Sequence, residues 1–139
     1  MVEADHKTEG DRMAEVIGVG GVFLECADPE ATKDWYSRVL GMVPSDYGGF
    51  DFLHKDSGQE FPEGARTIFA PFKAGGEYFK PSTLPFMVNL MVDDLDAMLE
   101  RVTSEGVEEL QPRESHEYGK FGWILDLDGR KIELWQPPK

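Results

Sequence analysis

A single cysteine, Cys26, is all the thiol that this 139-residue chain carries. That excludes an internal disulfide framework and any CxxC zinc or redox site. Basic residues are scarce too: 14 Lys and Arg stand against 27 Asp and Glu, a net charge of −13. A field of that sign repels phosphate backbones and anionic headgroups, so neither nucleic acid nor a membrane is expected as a partner. It suits a neutral or cationic small ligand, and it equally serves solubility. No apolar run approaches the ~18 residues of a membrane span. The first fifteen positions hold Glu3, Asp5, Glu9, Asp11 and Glu15, too polar for a signal peptide, so a cytoplasmic chain is expected. The histidines, at 6, 54 and 116, are scattered in sequence, and no Ser-His-Asp arrangement stands out. Gly18-Val-Gly-Gly21 precedes a strand instead of opening a helix, which excludes a dinucleotide loop.

What is present is one domain's worth of chain, 40% apolar and 29% charged, as in a globular protein. Residues 1–15 read as a flexible acidic arm. Val22–Cys26 alternates as a strand, with Val22, Leu24 and Cys26 on one face. A helix start follows, with Asp28 as N-cap and Pro29 at the first helical position. Ala31, Trp35 and Val39 form its buried stripe, and Gly41 stops it, giving a helix over about 29–40. Gly48-Gly49 marks a hairpin between 42–47 and 50–55, and 66–70 reads as another short strand. The stretch 72–85, with prolines at 81 and 85 and Gly75-Gly76, reads as a linker. Beyond it come a strand over 86–92, an N-cap at Asp94, and a helix over about 95–105 with the stripe Leu95, Met98, Leu99 and Val102. Strands over 108–116 and 121–127 follow, then an Asp128-Gly129 turn into Lys131–Trp135.

The two halves repeat one unit. An offset of 66 carries Val22, Leu24, Asp28 and Ala31 onto Val88, Leu90, Asp94 and Ala97, and Ile68 and Phe69 onto Leu134 and Trp135. The N-cap, the helical stripe and the last strand all keep register. A βαβββ duplication is therefore expected, with units at 16–71 and 86–139.

Val22-Phe-Leu-Glu-Cys-Ala-Asp28, Trp35-Tyr36, Val39-Leu-Gly41, Val92-Asp-Asp-Leu-Asp96 and above all Gly122-Trp-Ile-Leu-Asp-Leu-Asp-Gly-Arg-Lys-Ile-Glu-Leu-Trp135 give the chain a resemblance. It resembles the vicinal oxygen chelate superfamily of glyoxalase I, bleomycin-resistance proteins, fosfomycin-resistance enzymes and extradiol dioxygenases. The resemblance implies an α+β fold of tandem βαβββ modules whose curved mixed sheet surrounds a cleft. It also implies a homodimer. Metal ligands in that family fall where this chain has Gly21, Thr67, Met87 and Glu133. Gly and Met are poor ligands and a lone Glu cannot hold an ion against water, so no metal and no cofactor is expected.

Glu133 is then the candidate catalytic group, a partly desolvated acid among Trp135, Phe23 and Met87. Against that stands the plain alternative of a structural carboxylate. The expected ligand-binding residues are Phe23, Thr67, Phe69, Met87, Asn89, Trp123, Trp135 and His116, the last in a loop that could overhang the cleft. Cys26 falls on the packed face as an inert thiol, and Glu25 at the rim. Two functions remain open: a metal-independent binding protein for an aromatic or cationic compound, or a lyase, isomerase or related enzyme acting on a small oxygenated metabolite through Glu133.

Overall fold

The computed structural model describes residues 13–139; most of the acidic arm, with His6, lies outside them. Helix α1 spans Pro29–Leu40, with the Asp28 carboxylate accepting from the Ala31 N–H at 3.3 Å. It ends at Gly41, whose φ of +73° is the left-handed conformation that glycine tolerates. A short helix, α2, covers His54–Glu60. The second half then runs β1 (Val88–Met91), α3 (Leu95–Ser104), β2 (Glu114–His116), β3 (Gly119–Leu125) and β4 (Lys131–Gln136). α3 is capped like α1: the Asp94 carboxylate accepts from the Ala97 N–H at 3.0 Å.

The strands form one mixed sheet in the order β1-β4-β3-β2, with β1 parallel to β4 and the other pairs antiparallel. Its period of two sorts the side chains. Val88, Leu90, Ile124, Ile132 and Leu134 face α1 and α3, where Trp35, Tyr36, Val39, Leu40, Leu95, Leu99 and Val102 complete the core. Gly122 lets this layer close: a Cβ there would lie 2.7 Å from Leu99 Cδ1.

The α+β class and the βαβββ order of the second half follow the sequence pattern. The first half departs from it. It contributes its helix, but the expected strands at 22–26, 42–47, 50–55 and 66–70 join no ladder; residues 46–47 form a turn and residues 54–55 open α2 instead. Phe23 and Phe69 are 96% and 88% exposed. The physical reason lies in α1, whose apolar stripe is spent on the second half's core. The first-half strands therefore have no helical layer of their own to bury against, and a strand without a partner or a buried face gains nothing from extension.

The Asp128-Gly129 turn binds the halves together. The buried Asp126 carboxylate accepts from the Tyr36 hydroxyl at 2.5 Å, from Arg130 Nη1 at 2.8 Å, and from the backbone N–H groups of Asp128 and Arg130 at 2.9 Å each. Arg130 also donates to the Glu25 carbonyl, and the Thr32 hydroxyl donates to Asp128 at 2.7 Å. Every member of this network is paired, which is why charge can be buried there.

Candidate functional site

On β4 the residues between Ile132 and Leu134 and on either side of them turn away from the helices. Lys131, Glu133 and Trp135 share that face. The register sets Asn89 of β1 and Trp123 of β3 on the two sides of Glu133, and Met91 and Phe121 on the two sides of Trp135. Asn89 was legible from alternation along β1 and Trp135 from the same rule on β4, while Trp123 was expected only as an aromatic and its place opposite Glu133 comes from the register.

Glu133 is 7% exposed. Asn89 Nδ2 donates to its Oε1 at 2.7 Å and Trp123 Nε1 to its Oε2 at 2.8 Å. The Tyr78 hydroxyl also donates to Oε2. The carboxylate is thus an acceptor with three donors, a strong arrangement because the acceptor is charged. Burial, and then the bond to Glu133, hold the Tyr78 phenol well above its ordinary range, so it stays a neutral donor.

An aromatic row runs from this point. Phe121 is stacked with Trp123 at 6.3 Å and with Trp135 at 6.4 Å between centroids. Trp135 Nε1 donates to the Tyr118 carbonyl at 2.8 Å. Tyr118 meets Phe121 edge-on and stacks on His116 at 4.9 Å. His116 and Tyr118 are exposed and form the outer end of the row, while His116 Nε2 lies 2.8 Å from Glu114 Oε1. At the inner end Lys131 is almost fully buried. Its ammonium donates to the Tyr78 carbonyl at 2.6 Å and to Gln111 Oε1 at 3.2 Å, and lies 5.3 Å from the centre of the Tyr78 ring. Desolvation holds its pKa below the usual lysine value, with Glu133 opposing the shift.

Of the residues expected from sequence, Asn89 and Trp123 meet at the Glu133 carboxylate, Trp135 lies on the same face in the aromatic row, His116 stands at the outer end, and Met87 is half-buried just before β1. Phe23, Thr67 and Phe69 are exposed, on chain that joins no strand. The expected apolar surround of Glu133 is replaced by donors, because Asn89 and Trp123 present N–H groups there. Sequence reasoning passed over Phe121 and Lys131, which alternation with Trp123 and Glu133 would have found. It passed over Tyr78 as well, in a linker whose sequence carries no signal of where it folds.

A metal, which the fold family implies, does not suit this donor set. The Glu133 oxygens receive the positive ends of two N–H bonds and one O–H bond, while Gly21 and Thr67 are exposed elsewhere. Among the described residues no group of three His, Cys, Asp or Glu could hold an ion.

A family model, Glyoxalase/Bleomycin resistance protein/Dioxygenase superfamily, matches residues 18–134. The chain belongs to this superfamily. A search of the curated proteins finds no match. Among solved structures, the chain is similar to a glyoxylase/bleomycin resistance protein/dioxygenase domain from Frankia sp. EAN1pec. The two share 18% identity, with 89% of this chain and 100% of that one covered, at a TM-score of 0.53. It is similar to a superfamily member from Sphaerobacter thermophilus DSM 20745 at 22% identity, with 87% and 98% covered and a TM-score of 0.52. TnmS3, an antibiotic binding protein from Streptomyces sp. CB03234, matches at 23% identity over 88% and 100% of the chains, with a TM-score of 0.49. Among the described residues no helix is long and apolar enough to cross a membrane.

Proposed function

We propose that this superfamily member is a metal-independent binding protein for a small aromatic or cationic compound, which lies against the Phe121–Trp123–Trp135 row with Glu133 as its polar anchor. The observation that supports this best is a buried carboxylate at the end of a row of rings: half-buried Phe121 and the exposed Tyr118 and His116 offer flat apolar area, the buried Trp123 and Trp135 back it, and the carboxylate offers direction. A small partner, neither nucleic acid nor membrane, and a cytoplasmic setting belong to the same reading, as does the division into units at 16–71 and 86–139 joined by 72–85. The alternative, a lyase or isomerase with Glu133 as acid/base, has less support. Three donors of the chain itself are aimed at the Glu133 oxygens, an arrangement that suits a fixed acceptor better than a group that gives and takes a proton in each turnover.

Glu133→Gln tests the anchor. The amide can keep Trp123 and Tyr78 on its oxygen while a flipped Asn89 accepts from its NH2, so the fold is retained. Binding of acridine cations, read by quenching of tryptophan fluorescence, is expected to weaken by about tenfold, as for a lost charge-assisted bond. Unchanged affinity in a folded variant counts against Glu133 as the anchor.

The first half supports a homodimer. Val22, Phe23, Ile68 and Phe69 are strand formers left 62–96% exposed, a hazard that a second copy would remove. Paired this way, Phe23, Thr67 and Phe69 would reach a binding face across the interface. Light scattering is expected to return the mass of two 15.6 kDa chains at micromolar concentration; the mass of one chain counts against the pairing.

A further inference from the structure

Two of the three donors to Glu133 are set by the sheet, since Asn89 and Trp123 sit directly opposite it in the register. Tyr78 is not. It arrives from the 72–85 segment, outside the sheet, and is 41% exposed although its hydroxyl reaches a buried carboxylate. Its ring stacks on Phe72 at 5.6 Å, itself 56% exposed, and lies near the Lys131 ammonium. The turn carrying it is braced internally, with Lys80 N–H donating to the Glu77 carbonyl and Ser82 N–H to the Phe79 carbonyl, both at 3.1 Å. Tyr78 is tied to the rest of the molecule by its hydroxyl, which meets Glu133 and Trp123, by the 2.6 Å bond that its carbonyl accepts from the buried Lys131, and by that ammonium over its ring. None of these ties belongs to a strand ladder, so release of the turn would open no strand, and it would leave the Lys131 ammonium with Gln111 Oε1 at 3.2 Å. What it presents to the site is an aryl hydroxyl: a flat ring, with an O–H donated to Glu133 Oε2.

Resting on the binding function proposed above, we propose that Tyr78 holds the place of the ligand, and that the site takes planar aryl compounds bearing a neutral hydroxyl, which displace the Tyr78 hydroxyl from Glu133. With Tyr78 withdrawn, Oε2 keeps only the Trp123 N–H. A buried carboxylate oxygen that loses a donor is costly, so the site discriminates in favour of a ligand that restores one. An ether or an unsubstituted ring fills the space and leaves the oxygen short. The Tyr78 turn lowers the apparent affinity in the free protein, because the competent state must first release it.

The test compares 2-naphthol with 2-methoxynaphthalene on the full chain and on Tyr78→Phe, by calorimetric titration. The substitution keeps the ring against Phe72 and removes the competing donor. Tyr78→Phe is expected to bind both probes about tenfold tighter than the unmodified chain, since both must displace the same turn, and to keep the preference for 2-naphthol over 2-methoxynaphthalene, since only 2-naphthol returns a donor to Glu133. The unmodified chain is expected to prefer 2-naphthol, a contrast that decides the matter if the variant does not fold. No gain for either probe in Tyr78→Phe, a loss of 2-naphthol affinity in that variant, or no preference between the probes overturns the proposal and leaves the aromatic binding function standing. If neither probe nor an acridine cation binds either protein, the binding function itself fails and takes this proposal with it.

Discussion

Asp126→Ala is expected to destabilise the protein by about 3–5 kcal/mol, the usual cost of removing one partner from a buried ion pair. The side chains of Asp126 and Arg130 are 0% and 3% exposed. Loss of the carboxylate leaves Arg130 with Asp128 at 3.3 Å and the Glu25 carbonyl, and leaves the Tyr36 hydroxyl and two turn N–H groups without their acceptor. The effect should exceed that of Tyr36→Phe, which deletes one bond and spares the ion pair, by a factor of about three. Urea unfolding monitored by circular dichroism measures both. A change within about 1 kcal/mol for Asp126→Ala would mean that the network carries no net weight.

Leu99→Ala is expected to cost about 2–5 kcal/mol, and Gly122→Ala to give part of it back in the double variant. Leu99 is fully buried between α3 and the sheet, and its Cδ1 occupies the space a Cβ on residue 122 would need. Gly122→Ala alone should therefore be destabilising by about 1–3 kcal/mol through overpacking. In the Leu99→Ala background the added methyl enters the cavity instead. The double-mutant cycle should show a favourable coupling of at least about 1 kcal/mol. Simple additivity would show that the helix and sheet approach each other less closely than the geometry indicates.

Local chemistry made much of the second half readable. The caps at Asp28 and Asp94, the helical stripes, the Asp128-Gly129 turn and the alternation along β4 each act over a few residues, so each is written in adjacent positions. The same alternation put Asn89, Glu133 and Trp135 on the face they occupy. A strand, however, exists only through its partner. Val22–Cys26 and residues 66–70 have the composition of strands, yet they form none, because α1 is packed into the other half's core.

The polar surround of Glu133 is a further product of tertiary structure. Its strand neighbours follow from register, but register depends on which strands pair, and the parallel β1–β4 pairing joins residues more than forty positions apart. Tyr78 is the sharpest case. Prolines and glycines mark 72–85 as irregular chain, but nothing local specifies that its tyrosine reaches a carboxylate fifty-five residues further on. By itself the sequence determined α1 and α3, their caps, the final hairpin and which face the residues of β1 and β4 take, since these depend on backbone sterics and side-chain period. Only the tertiary structure decided which half received both α1 and α3 and which donors met at Glu133, because both rest on contacts between distant residues competing for one buried surface.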